Sequence, residues 1–172
     1  MKFKKFLETE LPKYQESVES WNDWISIRDS GDWDPTYIGG DLVCSRQDMS
    51  SFIGGPKFVG GTVRVSHTGI SSLEGAPNFI GGIFYCNHNK ISTLKNVHKQ
   101  IKHINGIFSL SSNPIMSNIL GLLLIEKLNL VDNNHNAFLI INKHLQCGDR
   151  DVLECQEELI SSGYKEFAKL WN

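Results

Sequence analysis

Apolar and polar residues alternate along this chain in short bursts that recur at fixed spacing. Leu42/Cys44, Val63/Val65, Phe84/Cys86 and Phe108/Leu110 each set two apolar side chains one residue apart. Such alternation predicts short strands with one face inward. Ahead of them stand Gly39-Gly40, Gly60-Gly61, Gly81-Gly82 and Asn105-Gly106, so the copies follow at intervals of 21, 21 and 24 residues. Three residues after each second apolar position comes a polar residue: Gln47, Thr68, Asn89 or Asn113. Two further on lies Met49, Ile70, Ile91 or Ile115, and Phe52, Leu73 and Leu94 complete the first three copies. A fifth, degenerate copy is Leu128-Asn129-Leu130, with Asn133 in the polar position.

One copy is too short to bury its own apolar face, so the copies must stack, about 4.7 Å apart along the hydrogen bonds. The pattern therefore predicts a solenoid. A meander of antiparallel hairpins also uses glycine turns, but hairpins rarely hold a 21-residue phase with a fixed polar position. The recurring polar residue is expected to turn inward and bond the backbone at the bend. The glycine pairs are expected to supply positive φ. Gly54-Gly55-Pro56 and Gly75-Ala76-Pro77 read as turns between copies, and Lys95-Asn96-Val97-His98 as a third whose proline has faded.

Phe84, Cys86, Asn89 and Ile91 match the leucine-rich repeat form L-x-x-L-x-L-x-x-N-x-L, with Gly81 in place of the first leucine. The chain thus resembles the leucine-rich repeats. The variant with a glycine pair before the strand and Gly-Ala-Pro after it resembles small repeat proteins of tailed bacteriophages. That likeness includes Ile140 to Leu145 and the run Cys155-Gln156-Glu157-Glu158-Leu159. It covers roughly residues 37–170, most strongly 37–96. It implies an α/β repeat fold, a phage origin and the cytoplasm of an infected bacterium. It brings no catalytic residues.

The flanks read as helical caps over the open ends of the stack. Tyr14, Val18, Trp21 and Ile25 follow helical spacing, with Pro12 at the first turn and Gly31 to Pro35 as the exit. Further on, Phe138, Ile141 and Leu145 form one helical face ending at Gly148. Asp151 with Glu154 resembles a capping box opening a helix through Val152, Cys155 and Leu159 to Gly163, and Phe167 and Trp171 would pack a last short helix. The expected layout is an N-terminal cap over residues 1–36, a solenoid of four to five rungs over 37–133, and a C-terminal cap over 134–172.

Composition narrows the classes. With 40% hydrophobic and 21% charged residues over 172 positions, the chain reads as globular. A net charge of −2 argues against wholesale capture of nucleic acid or an anionic membrane. No apolar leader follows Met1-Lys2-Phe3-Lys4-Lys5, and the apolar run Ile119 to Ile125 is too short to span a bilayer. The four cysteines are expected to be reduced thiols. Charge is uneven: residues 37–118 carry +4 and each flank carries −3. A basic body between acidic ends would steer an acidic partner onto the repeats.

If the apolar pairs point inward, the residues beside them stand outward in columns. One column is Val43, Arg64, Tyr85, Ser109 and Asn129; a second is Ser45, Ser66, Asn87 and Ser111; a third is Arg46, His67, His88 and Ser112. Tyrosine, arginine and histidine among small hydrogen-bonding groups have the chemistry of a recognition surface. Catalysis finds no support. No carboxylate recurs near His67 and His88, the alternation buries Cys86, and His144, Cys147 and Cys155 lack close-spaced ligand pairing, so no metal, cofactor or enzymatic activity is expected. The expected function is binding of a host bacterial protein, with inhibition of an antiviral defence component as the outcome. The alternatives are a binder of nucleic acid or a nucleotide signal through the basic rungs, or a virion or internal-head component.

Overall fold

A computed structural model describes residues 16–47, 49–131, 135–148 and 150–170. Pro12, Tyr14, Asn133 and Trp171, which figured in the expectations above, lie outside them, as does the Met1–Lys5 segment. The chain forms a parallel-strand sheet arranged as a solenoid of about four turns, accompanied by a few helices. Its strands are β1 (Tyr37–Ile38), β2 (Leu42–Val43), β3 (Phe58–Val59), β4 (Val63–Arg64), β5 (Phe79–Ile80), β6 (Phe84–Tyr85), β7 (His103–Ser109) and β8 (Lys127–Val131). Two parallel ladders, β1-β3-β5 and β2-β4-β6, run side by side; β7 joins them by pairing with both β5 and β6, and β8 lies on β7. Register follows the repeat: Leu42 faces Val63, Val63 faces Phe84, and Phe84 faces Phe108. All four are fully buried. Each turn therefore holds two strand pieces around its glycine pair, and the alternation pointed only to the second.

The glycine pairs do a different job from the one expected. None of Gly39, Gly40, Gly60, Gly61, Gly81 or Gly82 has positive φ. A Cβ on Gly60 would instead lie 2.2 Å from the carbonyl oxygen of Gly39, and one on Gly81 2.0 Å from that of Gly60. The pairs are needed because successive rungs touch backbone to backbone. Positive φ falls elsewhere. Gly54 (79°), Gly75 (81°) and Asn96 (59°) hold equivalent places in the three bends, and Arg46, His67, His88 and Ser112 hold equivalent places at the strand exits. Asparagine is the side chain that best tolerates this region, which accounts for the third bend.

The polar positions do turn inward. Asn89 donates from Nδ2 to the carbonyls of Val65 (2.9 Å) and Cys86 (3.2 Å), while its Oδ1 accepts from the amides of Thr68 and Gly69 (both 2.9 Å). Asn113 repeats this one rung on, donating to Cys86 and Leu110 and accepting from the Ile91 amide. At these two rungs backbone groups at the bend are thereby satisfied by a single side chain each, whereas Gln47 bonds Trp21 and Glu19 of the N-terminal segment.

At the N-terminal side the expected helix through Val18 is not formed. Val18 pairs in parallel with Leu42: its N–H donates to Asp41 (2.8 Å), and its carbonyl accepts from Val43 (2.7 Å). With its backbone held in the ladder, Val18 cannot be helical, and helix α1 (Trp21–Ser30) starts after Ser20, whose Oγ accepts from the Asp23 amide at 3.0 Å. The helix buries Trp24, not Trp21 or Ile25, and Trp24 Nε1 donates to the Gly54 carbonyl. The longer third interval contains the short helix α2 (Val97–Gln100). Beyond β8, α3 (Asn136–Gln146) buries Phe138 and Ile141, and α4 (Val152–Ser161) buries Cys155 and Leu159 with Asp151 as its N-cap. Phe167 is buried in a turn following Tyr164 rather than in a helix.

These contacts predict that Gly60→Ala or Gly81→Ala lowers stability by about 3 kcal/mol, because the clash is with backbone that cannot move aside. Arg46→Gly, at an exposed site with φ of 60°, should change stability by less than about 1 kcal/mol, since relief of left-handed strain offsets the looser unfolded chain. Urea unfolding of the three variants reads out the contrast.

Candidate binding face

The outward side of the sheet is built from the residues that alternate with the core. Backbone pairing brings Val43 to Arg64, Arg64 to Tyr85 and Tyr85 to Ser109. Arg64 is exposed, and its guanidinium carbon lies 4.9 Å from the centroid of the half-buried Tyr85 ring. This cation–π contact holds the guanidinium against the ring. Ser109 belongs to the column but is only 6% exposed, so it offers little to a partner. Asn129 leaves the column: it pairs with Ile107, and Val131 stands opposite Ser109. The reason is a register shift, since the step of four positions from His103 to Ile107 opposes a step of two from Lys127 to Asn129. The fifth rung has no glycine pair to match Asn105-Gly106.

The second column is largely occupied by the fold itself. Ser45 Oγ accepts from the Ser66 amide (3.2 Å), Ser66 Oγ from the Asn87 amide (3.2 Å), and Asn87 Oδ1 from the Ser111 amide (3.1 Å). In the third column Arg46, His67 and His88 are exposed, with φ of 60°, 59° and 53°. The His67 and His88 rings stack with centroids 4.3 Å apart. Histidine is a costlier choice than glycine or asparagine at such a φ, by about 1 kcal/mol, and ring stacking repays part of that.

A further column was not anticipated. Tyr37, Phe58, Phe79 and His103 stack in sequence with centroids 4.5, 4.6 and 4.9 Å apart and planes within 13° of parallel. All four are half-buried. The signal was present, because the first three stand two residues ahead of their glycine pairs and His103 two ahead of Asn105-Gly106. The glycines form a strip between this column and the one carrying Arg64 and Tyr85.

The cysteines of the rungs are withdrawn from the face. Cys44, Cys86 and Cys155 are buried, and burial pushes each thiol up to about 12. Among the described residues no group of three His, Cys, Asp or Glu side chains is placed to hold a metal ion. His144, buried in α3, lies with Nε2 2.8 Å from Glu158 Oε2, and Lys143 Nζ reaches the same oxygen at 2.8 Å. The bonds from Lys143 and then His144 hold the Glu158 carboxyl below its ordinary range. This cluster ties α3 to α4. No helix of the described residues is long and apolar enough to cross a membrane. Comparison with protein-family models, with curated proteins and with solved structures finds no match.

Of the four thiols, Cys147 alone is exposed. Titration of the native protein with a chromogenic disulfide at pH 8 should therefore label one thiol per chain rapidly and the other three only on unfolding. Rapid labelling of Cys86 would contradict its inward position.

Proposed function

We propose that this chain is a leucine-rich-repeat-like, non-enzymatic binding module that docks another protein on the outward face of its sheet. The observation that carries the reading is the Arg64–Tyr85 pair, one planar donor fork laid on one aromatic ring at neighbouring rungs in the middle of that face. Arginine and tyrosine are the side chains most enriched at interface hot spots, and both are pre-ordered here by the ladder beneath them. The inward asparagines Asn89 and Asn113 support the likeness to leucine-rich repeats. The segments around α1 at one end and α3 with α4 at the other act as caps on this reading. The resemblance to phage repeat proteins supports a partner from the infected bacterium, with inhibition of a defence component as the consequence.

The test is the double substitution Arg64→Ala with Tyr85→Ala. Neither side chain points into the core, so circular dichroism and the unfolding midpoint should stay close to those of the parent. Affinity for a partner recovered with the parent protein should fall by about 2–4 kcal/mol, the usual scale for paired hot-spot truncations. Unchanged affinity in the folded variant would remove the strand face from consideration and turn attention to the acidic ends.

A further inference from the structure

We infer that the outward face takes an extended, acidic stretch of polypeptide and not a nucleic acid; this rests on the reading of that face as the docking surface. Two observations decide between the occupants: which parts of the aromatic rings remain open, and where charge stands around them.

Phe58 has Tyr37 against one face and Phe79 against the other; Phe79 in turn lies between Phe58 and His103. Both faces of both rings are therefore taken within the stack, and only ring edges can meet a ligand. One face of Tyr85 is covered by Arg64, and His67 and His88 cover one another on one side. Single-stranded nucleic acids are held by bases lying flat on exposed ring faces. Here the rings are turned the wrong way for that. Ring edges carry the positive end of the aromatic quadrupole, so a column of edges favours oxygen atoms of carboxylates and carbonyls.

Charge agrees. Lys57 is exposed immediately ahead of Phe58, and Arg46 and Arg64 are exposed on the other side of the glycine strip. None of the three is in an ion pair with a described carboxylate. Asp41 Oδ1 already accepts from the Thr62 amide at 2.7 Å, and Glu16 lies beside Tyr37, Gly39 and Gly40 at the first rung. At the last rung Glu126 stands beside Lys127, whose Nζ bonds Asn105. The second rung thus sets Lys57 and Arg64 on opposite sides of its glycine pair, while the carboxylates Glu16, Asp41 and Glu126 stand at the first and last rungs. An extended peptide fits the glycine strip, with its carboxylates reaching Lys57 on one side and Arg64 on the other. The glycine amides are bonded between rungs, as Gly60 is to Ile38 and Gly81 to Val59, so recognition comes from the flanking columns.

The experiment is fluorescence polarisation at about 0.1 M salt on the full chain. The probes are a labelled Glu-Tyr repeat peptide, a Lys-Tyr repeat peptide of equal length and an oligo-dT of about 16 nucleotides. The inference expects the acidic peptide alone to bind, with affinity falling as salt rises. Lys57→Glu combined with Arg64→Glu, checked for folding by circular dichroism, should weaken it about tenfold or more. Oligo-dT binding as tightly as the acidic peptide overturns the inference in favour of nucleic acid. Absence of acidic-peptide binding also overturns it, while the docking reading stands if a recovered partner still depends on Arg64 and Tyr85. Acidic-peptide binding untouched by the double reversal overturns the inference too, since the peptide then binds elsewhere, and the docking reading again stands or falls on the recovered partner's dependence on Arg64 and Tyr85.

Discussion

The whole molecule depends on how closely one rung can lie on the next. Aromatic rings at equivalent positions stack 4.5 to 4.9 Å apart, the spacing of neighbouring hydrogen-bonded strands. At the glycine pairs the approach leaves no room even for a methyl group. Everything else follows from holding that spacing over successive turns. Inward residues must recur in register, bends must repeat the same backbone path, and buried bend amides must find a partner in each copy. The asparagine position meets the last demand, and left-handed residues at Gly54, Gly75 and Asn96 meet the second.

Much of this was legible in the chain because a repeat amplifies weak signals. No single burst such as Val63-Arg64-Val65 would establish a strand, but four in phase establish a stack. The polar position was legible for the same reason, since an inward asparagine such as the buried Asn89 has to bond backbone. The first strand of each turn was harder to see. It buries only one residue per copy, Ile38, Val59, Ile80 or Ile104, and one residue has no periodicity of its own. The helix expected through Val18 failed because tertiary pairing of Val18 with Leu42 overrode the helical spacing of its apolar residues. Asn129 was misaligned because sequence phase does not report a bulge. The register shift next to Asn105-Gly106 puts Val131 where phase alone puts Asn129.

The candidate site illustrates a separation between display and support within one sheet face. Arg46, Arg64, His67 and His88 are displayed; Ser45, Ser66 and Asn87 face the same way yet are engaged in bonding the next rung. Counting outward residues therefore overstates the surface open to a partner. The stacked column from Tyr37 to His103 shows the complementary point. Its inner rings are consumed by one another at this spacing, and their edges, not their faces, define what the surface can recognise.

The central claim is that the inward polar residue, asparagine at positions 89 and 113, fixes the bend it bonds, and amide hydrogen exchange measures this most directly. In the parent protein the amides of Thr68 and Gly69, both bonded to Asn89 Oδ1, should exchange as slowly as the strand amides of the same rungs. In Asn89→Ala those two should lose protection first, with a global loss of about 2–3 kcal/mol from the unpaired buried backbone. Retained protection at Thr68 and Gly69 in the folded variant would mean that the rungs hold their bends without the asparagine, and the account would fail at its base.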